Sequence, residues 1–202
     1  MTTGDREYID DFLSGIHTIV DTISREDIER ALNLLFTAWK GGRRVFLIGN
    51  GGSAGTATHF AADLSKCTAA AGKPRLKAIS LVDNVPLVSA IINDEGWENL
   101  FVEQLENLFE PGDVVVALSV HGGSGSEKAG PWSQNLLKAM KFAGERGGST
   151  IGLSGFDGGP MKEIADVSIV VPCRSTPHVE AFHVVLHHLI AFRLAEKIRH
   201  PG

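Results

Sequence analysis

The sequence is poor in cysteine, has no surplus of positive charge and contains no long apolar run. Its two cysteines, Cys67 and Cys173, form no CxxC pair, which excludes a disulfide framework and predicts free thiols in a reducing cytoplasm. Aspartate and glutamate (24) outnumber lysine and arginine (19), so the charge does not favour a nucleic-acid partner. The apolar runs are too short to span a bilayer. The acidic start, MTTGDREYIDDF, lacks the order of a signal peptide.

The composition is that of a globular protein. With 202 residues, 43% of them apolar, the chain is long enough for one domain with a sizeable core. We see no linker or repeat and predict a single domain over 1–202, with a helical extension over about 4–41. Apolar residues recur at helical spacing from Tyr8 to Ile23, and Ser24 predicts the start of a second helix that ends at Gly41. Their apolar stripes need burial, and a second subunit is one way to provide it.

The remainder alternates between apolar strands and helices. Strands are predicted at Arg44–Ile48, Leu76–Leu81, Asp113–Leu118, Thr150–Leu153 and Val167–Val171. Helices are predicted from the segment after the first strand through Leu64, and at Val85–Ile92, Asn99–Phe109, Gln134–Glu145 and Val179–Ile198. Continuous apolar strands between helices predict an α/β fold: a three-layer sandwich with a parallel sheet covered on both faces.

Two glycine-rich loops follow predicted strands. Residues 49–53 read GNGGS and residues 119–126 read SVHGGSGS. Both lie where ligands of open parallel sheets bind, and both offer backbone N–H groups to an anion. No lysine follows the first loop, which argues against a P-loop, and Ala54 stands at the third glycine of a dinucleotide fingerprint, which leaves that alternative weak. Either loop alone could be a tight turn, but two at neighbouring strand ends favour an anion site.

Two helices carry residues suited to acid–base chemistry or metal binding. His59 and Asp63 are four residues apart and share a helix face, although a surface pair without a role has the same spacing. On the last helix, periodicity places Glu180, His183 and His187 on one stripe and His188 elsewhere. These side chains could equally be exposed or packed against another subunit.

Four segments carry a resemblance to a known family. The string GNGGSAGTATHFAADL (49–64) resembles the signature of phosphoheptose isomerases, a branch of the SIS (sugar isomerase) domain proteins. Residues 91–94 (IIND), 113–119 (DVVVALS) and 154–159 (SGFDGG) resemble further family segments. The resemblance extends over about residues 8–198.

The resemblance implies a five-stranded parallel sheet flanked by helices, in a homotetramer with the two leading helices at subunit interfaces and active sites between subunits. The implied activity converts sedoheptulose 7-phosphate to D-glycero-D-manno-heptose 7-phosphate by proton transfer through an enediol. One alternative is a non-catalytic SIS protein that binds a protein partner, as a replication-initiator-associating relative does. Another is a sugar-phosphate sensor.

The same resemblance assigns roles to residues by position. It implies catalysis by Asp63 and His188, and possible Zn²⁺ ligands at His59, Asp63, Glu180 and His188. The residues expected to bind substrate or phosphate are Asn50, Gly51, Gly52, Ser53, Asp94, Ser119, Val120, His121, Ser124, Ser133 and Glu180.

The sequence departs from the family pattern at several of these positions. Asp63 stands where the family has Glu, and Glu180 where isomerases carry Gln. The phosphate loop reads SVHGGS at 119–124 and continues through an insertion to Trp132, so that Ser133 could replace Ser124. Glu180 and His188 are roughly 12 Å apart along a straight helix, too far for one ion in one chain. A site shared between subunits would remove that difficulty.

Overall fold

A single five-stranded parallel sheet organises the chain. The computed structural model describes residues 4–123 and 133–200. The strand order is β2-β1-β3-β4-β5, and every neighbouring pair is parallel. The strands are β1 Arg44–Gly49, β2 Lys77–Ser80, β3 Val114–Leu118, β4 Ser149–Gly155 and β5 Val167–Val171. The predicted five-stranded parallel sheet is therefore confirmed.

Helices cover both faces of this sheet. In the described ranges they are α1 Asp5–Thr22, α2 Arg25–Lys40, α3 Gly52–Cys67, α4 Val85–Asp94, α5 Val102–Leu108, α6 Gln134–Glu145, α7 Gly159–Ile164 and α8 Thr176–Arg199, with a short 3₁₀ helix at Trp97–Asn99. The predicted helix Asn99–Phe109 is thus shortened to Val102–Leu108, and α7 was not predicted. Among the described residues no helix is both long and apolar enough to cross a membrane.

The two layers of helices pack on opposite faces of the sheet, so alternate side chains of a strand contact different layers. Val45 and Leu47 of β1 pack in one core with α2, α3 and α8, whereas Phe46 and Ile48 pack in the other with α4 to α7. Both faces of β1 are fully buried. This arrangement explains why the strands read as continuous apolar runs and places α3 beside α8 on the same face.

The two leading helices differ in how they bury their apolar residues. The Ser24 hydroxyl accepts the Asp27 N–H at 3.1 Å and caps α2 as predicted. The stripe of α2 packs within the chain against α8 and the sheet, so it needs no second subunit. On α1 only Ile19 is buried, and Tyr8, Ile9 and Leu13 stay exposed.

Candidate functional site

A cleft lies where the strand order changes direction. From β1 the chain passes to β2 on one side, while β3 pairs on the other, so the loops after β1 and β3 diverge. Ligands of open α/β sheets bind at this position. The cleft has a volume of about 260 Å³ and is lined by Asn50, Ser53, Leu118, Ser119, Val120, His121, Gly123, Ser133, Thr176 and Glu180.

The turn after β1 requires glycine. Gly51 has a φ of +55°, a conformation that side chains other than glycine rarely adopt. A Cβ on Gly49 would lie 2.4 Å from the Ser53 carbonyl oxygen. This tight turn starts α3 at Gly52 and brings Ser53 into the cleft, while Gly51 and Gly52 shape the turn rather than line the cleft.

A pair of hydrogen-bonded amides, one of them fully buried, joins two loops of the cleft. Asn50 Nδ2 donates to Asn135 Oδ1 at 3.0 Å, and Asn135 Nδ2 donates to Asn50 Oδ1 at 2.9 Å. Asn50 Nδ2 is also 3.4 Å from the Ser133 hydroxyl oxygen. Asn50 therefore fixes the end of β1 to the start of α6. The sequence analysis assigned no role to Asn135, since an asparagine at a helix start usually lies at the surface.

The described part of the cleft can attract an anion through helix amino termini. Ser53 lies in the first turn of α3, Ser133 precedes α6, and Thr176 is the first residue of α8. Three helix amino termini thus face one cleft, and each favours negative charge. Among its described lining residues there is no lysine or arginine, and Glu180 is the one carboxylate.

A second group of side chains lies further along α3 and α8. His188 Nδ1 is 3.0 Å from Asp63 Oδ2, His187 Nδ1 is 3.5 Å from the same oxygen, and His59 Nε2 is 3.8 Å from it. One ligand atom from each of these four residues lies within 4.8 Å of the others. We call His59, Asp63, His187 and His188 the His/Asp group.

The His/Asp group suits a divalent transition metal. His187 is fully buried, and neither of its ring nitrogens has a hydrogen-bond partner among the described residues. Asp63 Oδ2 is also buried without a partner in hydrogen-bond geometry there. Buried polar atoms without partners are costly, and a bound cation would satisfy both. Three imidazole nitrogens and one carboxylate oxygen are, in donor type and number, a set that zinc takes.

The environment of the group keeps one histidine neutral. Burial lowers the pKa of His187 to about 4, and the neighbouring His188 and His59 add to the effect, while the Asp63 carboxylate opposes it. A neutral imidazole is the form that binds a metal. On the outer side of Asp63, Cys67 Sγ lies 3.8 Å from Oδ1, so the other oxygen, Oδ2, faces the histidines.

The structure brings together some of the predicted residues and separates others. His59, Asp63 and His188 converge as expected from the resemblance. Glu180 instead lies in the cleft, and His187 is the fourth member of the His/Asp group. The reason is the rise of α8, which sets Glu180 two turns before His188.

The remaining predicted residues lie away from the His/Asp group. Asp94 is exposed, accepts from Asn93 Nδ2 at 2.6 Å and does not line the cleft of its own chain. His183 is fully buried and donates from Nε2 to the Ser154 carbonyl at 3.2 Å. Ser124 lies outside the described residues.

The cleft and the His/Asp group belong to one pair of helices. Glu180 of α8 lies against Gly52 at the start of α3, and His188 lies against Asp63 eleven residues further along α3. The two helices therefore run in the same direction. The anion cleft is at their amino ends, and the His/Asp group lies roughly 12 Å further along α8.

Comparisons with known proteins agree with this architecture. Residues 7–155 match the family model described as "SIS domain". The solved structure of phosphoheptose isomerase GmhA from Neisseria gonorrhoeae superposes with a TM-score of 0.81 at 27% identity, covering 94% of this chain and 95% of that one. The fold and the cleft at its sheet edge thus define an SIS-domain protein.

Comparison with relatives in sequence distinguishes between branches of the SIS-domain family. The phosphoheptose isomerase of Geotalea daltonii is 37% identical over 201 residues, which cover 94% of this chain and 97% of the relative. The chain belongs to the phosphoheptose isomerase branch of the SIS-domain family. It is also 44% identical over 161 residues to the lincomycin biosynthesis protein LmbN of Streptomyces lincolnensis, a match that covers 78% of this chain and 58% of that protein.

Proposed function

We propose that the protein is a ketose–aldose isomerase that acts on a phosphorylated sugar, with sedoheptulose 7-phosphate as substrate and D-glycero-D-manno-heptose 7-phosphate as product. The relatives named phosphoheptose isomerase support this activity. The observation that carries it is the 3.0 Å approach of Asp63 Oδ2 and His188 Nδ1 along the same two helices that form the anion cleft.

The spacing of the two sites suits a long open-chain sugar. With carbon–carbon bonds of about 1.5 Å, the extended chain of a heptose phosphate spans roughly 10 Å from phosphorus to C1. This is close to the roughly 12 Å rise between Glu180 and His188 on α8. A phosphate held at the helix amino termini would therefore leave C1 and C2 of the sugar near Asp63 and His188.

The chemistry would be proton transfer between neighbouring carbons. A carboxylate and an imidazole are the groups best suited to remove a proton next to a carbonyl and to return one at the adjacent carbon. Asp63 is mostly buried, while the side chain of His188 is 43% exposed, so the imidazole can reach a ligand that approaches from solvent. The phosphate contacts would position the reacting carbons over both groups.

We propose that the His/Asp group holds Zn²⁺. His59, Asp63, His187 and His188 would be the ligands, which replaces Glu180 of the expected set with His187. When bound, the ion would supply positive charge near the enediolate. Because it would engage both Asp63 and His188, the proton transfer by these two residues is proposed for the protein without the ion.

The non-catalytic alternatives are not favoured. A protein that only binds a sugar phosphate or a protein partner needs the cleft but has no use for an assembled carboxylate and three imidazoles. Such polar groups are costly to bury without a role, as the fully buried His187 illustrates.

We further propose a homotetramer formed from a single SIS domain of residues 1–202, acting in the cytoplasm. The apolar side chains exposed on α1 and α8 support assembly with further copies of the chain; they include Tyr8, Ile9, Leu13, Val185, Leu189 and Phe192. The two free cysteines fit a reducing compartment. Light scattering of the purified protein would measure the subunit number.

The decisive experiment incubates the protein with sedoheptulose 7-phosphate and follows formation of the aldose. We expect turnover by the wild type and a loss of roughly 100-fold or more in kcat for Asp63→Asn, because the amide cannot accept a proton. Asp83→Asn is the matched control: Asp83 is exposed, accepts from the Thr58 hydroxyl at 2.7 Å and lies in neither site. Tight binding of the sugar phosphate without any turnover would instead support a sensor.

A further inference from the structure

We propose that Glu180 selects the substrate class of the cleft: its carboxylate accepts hydrogen bonds from the hydroxyls next to the phosphate of a neutral sugar chain and repels ligands that carry a second anionic group close to the phosphate. This inference rests on the proposed function in taking sugar phosphates as ligands. It goes further because it separates neutral polyhydroxy phosphates, which the cleft accepts, from phosphates with a carboxylate a few bonds from the phosphate, which it rejects.

The position of the carboxylate follows from its contact with Gly52. Glu180 Oε1 lies 2.7 Å from where a Cβ on Gly52 would stand, so the carboxylate packs directly on the first residue of α3. Glu180 is half-buried on α8 and lines the cleft together with Thr176 and Ser53. It therefore occupies the mouth of the anion site rather than open solvent.

Among the described residues that line the cleft, no cationic side chain compensates the charge of Glu180. The described residues that line the cleft contribute hydroxyls, an amide and one imidazole, but no lysine or arginine. The helix amino termini that favour a phosphate also favour this carboxylate. A ligand must consequently share the cleft with one negative charge that is already present.

The chemistry of a carboxylate determines which ligands can do so. An ionised carboxylate offers only acceptors, so it matches hydroxyl donors and forms charge-assisted hydrogen bonds with them. A ligand carboxylate close to the phosphate would face it as a like charge in a partly desolvated cleft, where screening is weak. Glutamine at the same position would accept and donate without that repulsion.

Two unreactive ligands of equal length test this without relying on turnover. Glycerol 3-phosphate and 3-phosphoglycerate share a three-carbon chain and a phosphate, and differ in a terminal hydroxymethyl or carboxylate group that lies within reach of Glu180 when the phosphate is in the cleft. We expect wild-type protein, titrated by calorimetry, to bind glycerol 3-phosphate at least roughly tenfold more tightly. In Glu180→Gln the preference should fall below about threefold, mainly because 3-phosphoglycerate binds more tightly.

A control on the same helix separates local from overall charge. Glu196 is exposed on α8 and pairs with Arg193 at 2.9 Å, so Glu196→Gln removes the same charge far from the cleft and should keep the wild-type preference. Circular dichroism would check that each variant is folded. An unchanged preference in Glu180→Gln, or wild-type protein that binds both ligands equally or neither, would overturn the proposal. A preserved preference without turnover of sedoheptulose 7-phosphate would count against the isomerase activity alone.

Discussion

Protonation of His183 should destabilise the fold as the pH falls from 7.5 to 5. The ring is fully buried, and burial lowers the pKa of His183 to about 4, although the hydrogen bond to the Ser154 carbonyl acts in the opposite direction. In the unfolded chain the imidazole has an ordinary pKa of about 6.5. Between these two values the unfolded state binds a proton that the folded state does not. The free energy of unfolding therefore decreases as the pH is lowered from about 6.5 to about 4.

The size of the effect follows from the two pKa values. The stabilisation is fully present above about pH 6.5 and is lost progressively toward pH 4. At pH 5 the pH lies about 1.5 units below the pKa of the unfolded chain, so the free energy of unfolding has decreased by about 2 kcal/mol. For a protein of this size that is a fall of roughly 4–8 °C in Tm from this residue alone.

The comparison that isolates His183 uses urea unfolding of the wild type and of His183→Gln at pH 7.5 and pH 5. Both proteins are measured at one protein concentration with a chelator present. Glutamine retains an N–H donor toward Ser154 but does not titrate. We expect the wild type to lose about 2 kcal/mol more than the variant between the two pH values. Equal losses in both proteins would refute the reasoning.

Three further predictions concern the cleft and the His/Asp group. Ser119→Ala should weaken binding of sugar phosphates roughly tenfold, since one hydroxyl donor to a charged ligand is lost, and calorimetry would measure it. Zinc at 100 times its Kd should stabilise the wild type by about 2.7 kcal/mol in thermal unfolding but leave His187→Gln nearly unchanged. Gly51→Ala should destabilise the fold by about 1 kcal/mol or more in urea, because alanine is strained at a φ of +55°.

The sheet could be predicted from the sequence because its strands are buried on both faces. Val167–Val171 was predicted with the observed bounds, and the helix Gln134–Glu145 likewise. The short helix α7 was missed because it has six residues, of which only Met161 is buried, and too short a pattern carries no period. The predicted helix Asn99–Phe109 was too long, since a 3₁₀ turn precedes Val102 and interrupts the α-helical path.

The site could be predicted only in part. Periodicity placed His187 and His188 on different faces of α8, which is geometrically correct, yet both lie against Asp63. Two adjacent residues of one helix can contact the same side chain when that side chain comes from a second helix packed against them, as Asp63 of α3 does here. The residue pattern of α8 alone does not show which side chains of α3 it meets. The resemblance to the family predicted a role for His188, whereas the position of His187 beside Asp63 depends on the packing of two helices.

The most direct test of the central claim is proton exchange at the reacting carbons. Sedoheptulose 7-phosphate incubated with the protein in D₂O should acquire deuterium at C1, observed by NMR, because an enediol forms between C1 and C2. We predict this exchange for the wild type and its loss in both Asp63→Asn and His188→Gln. Exchange at wild-type rates in those two variants, or isomerisation without any deuterium uptake, would contradict proton transfer by Asp63 and His188.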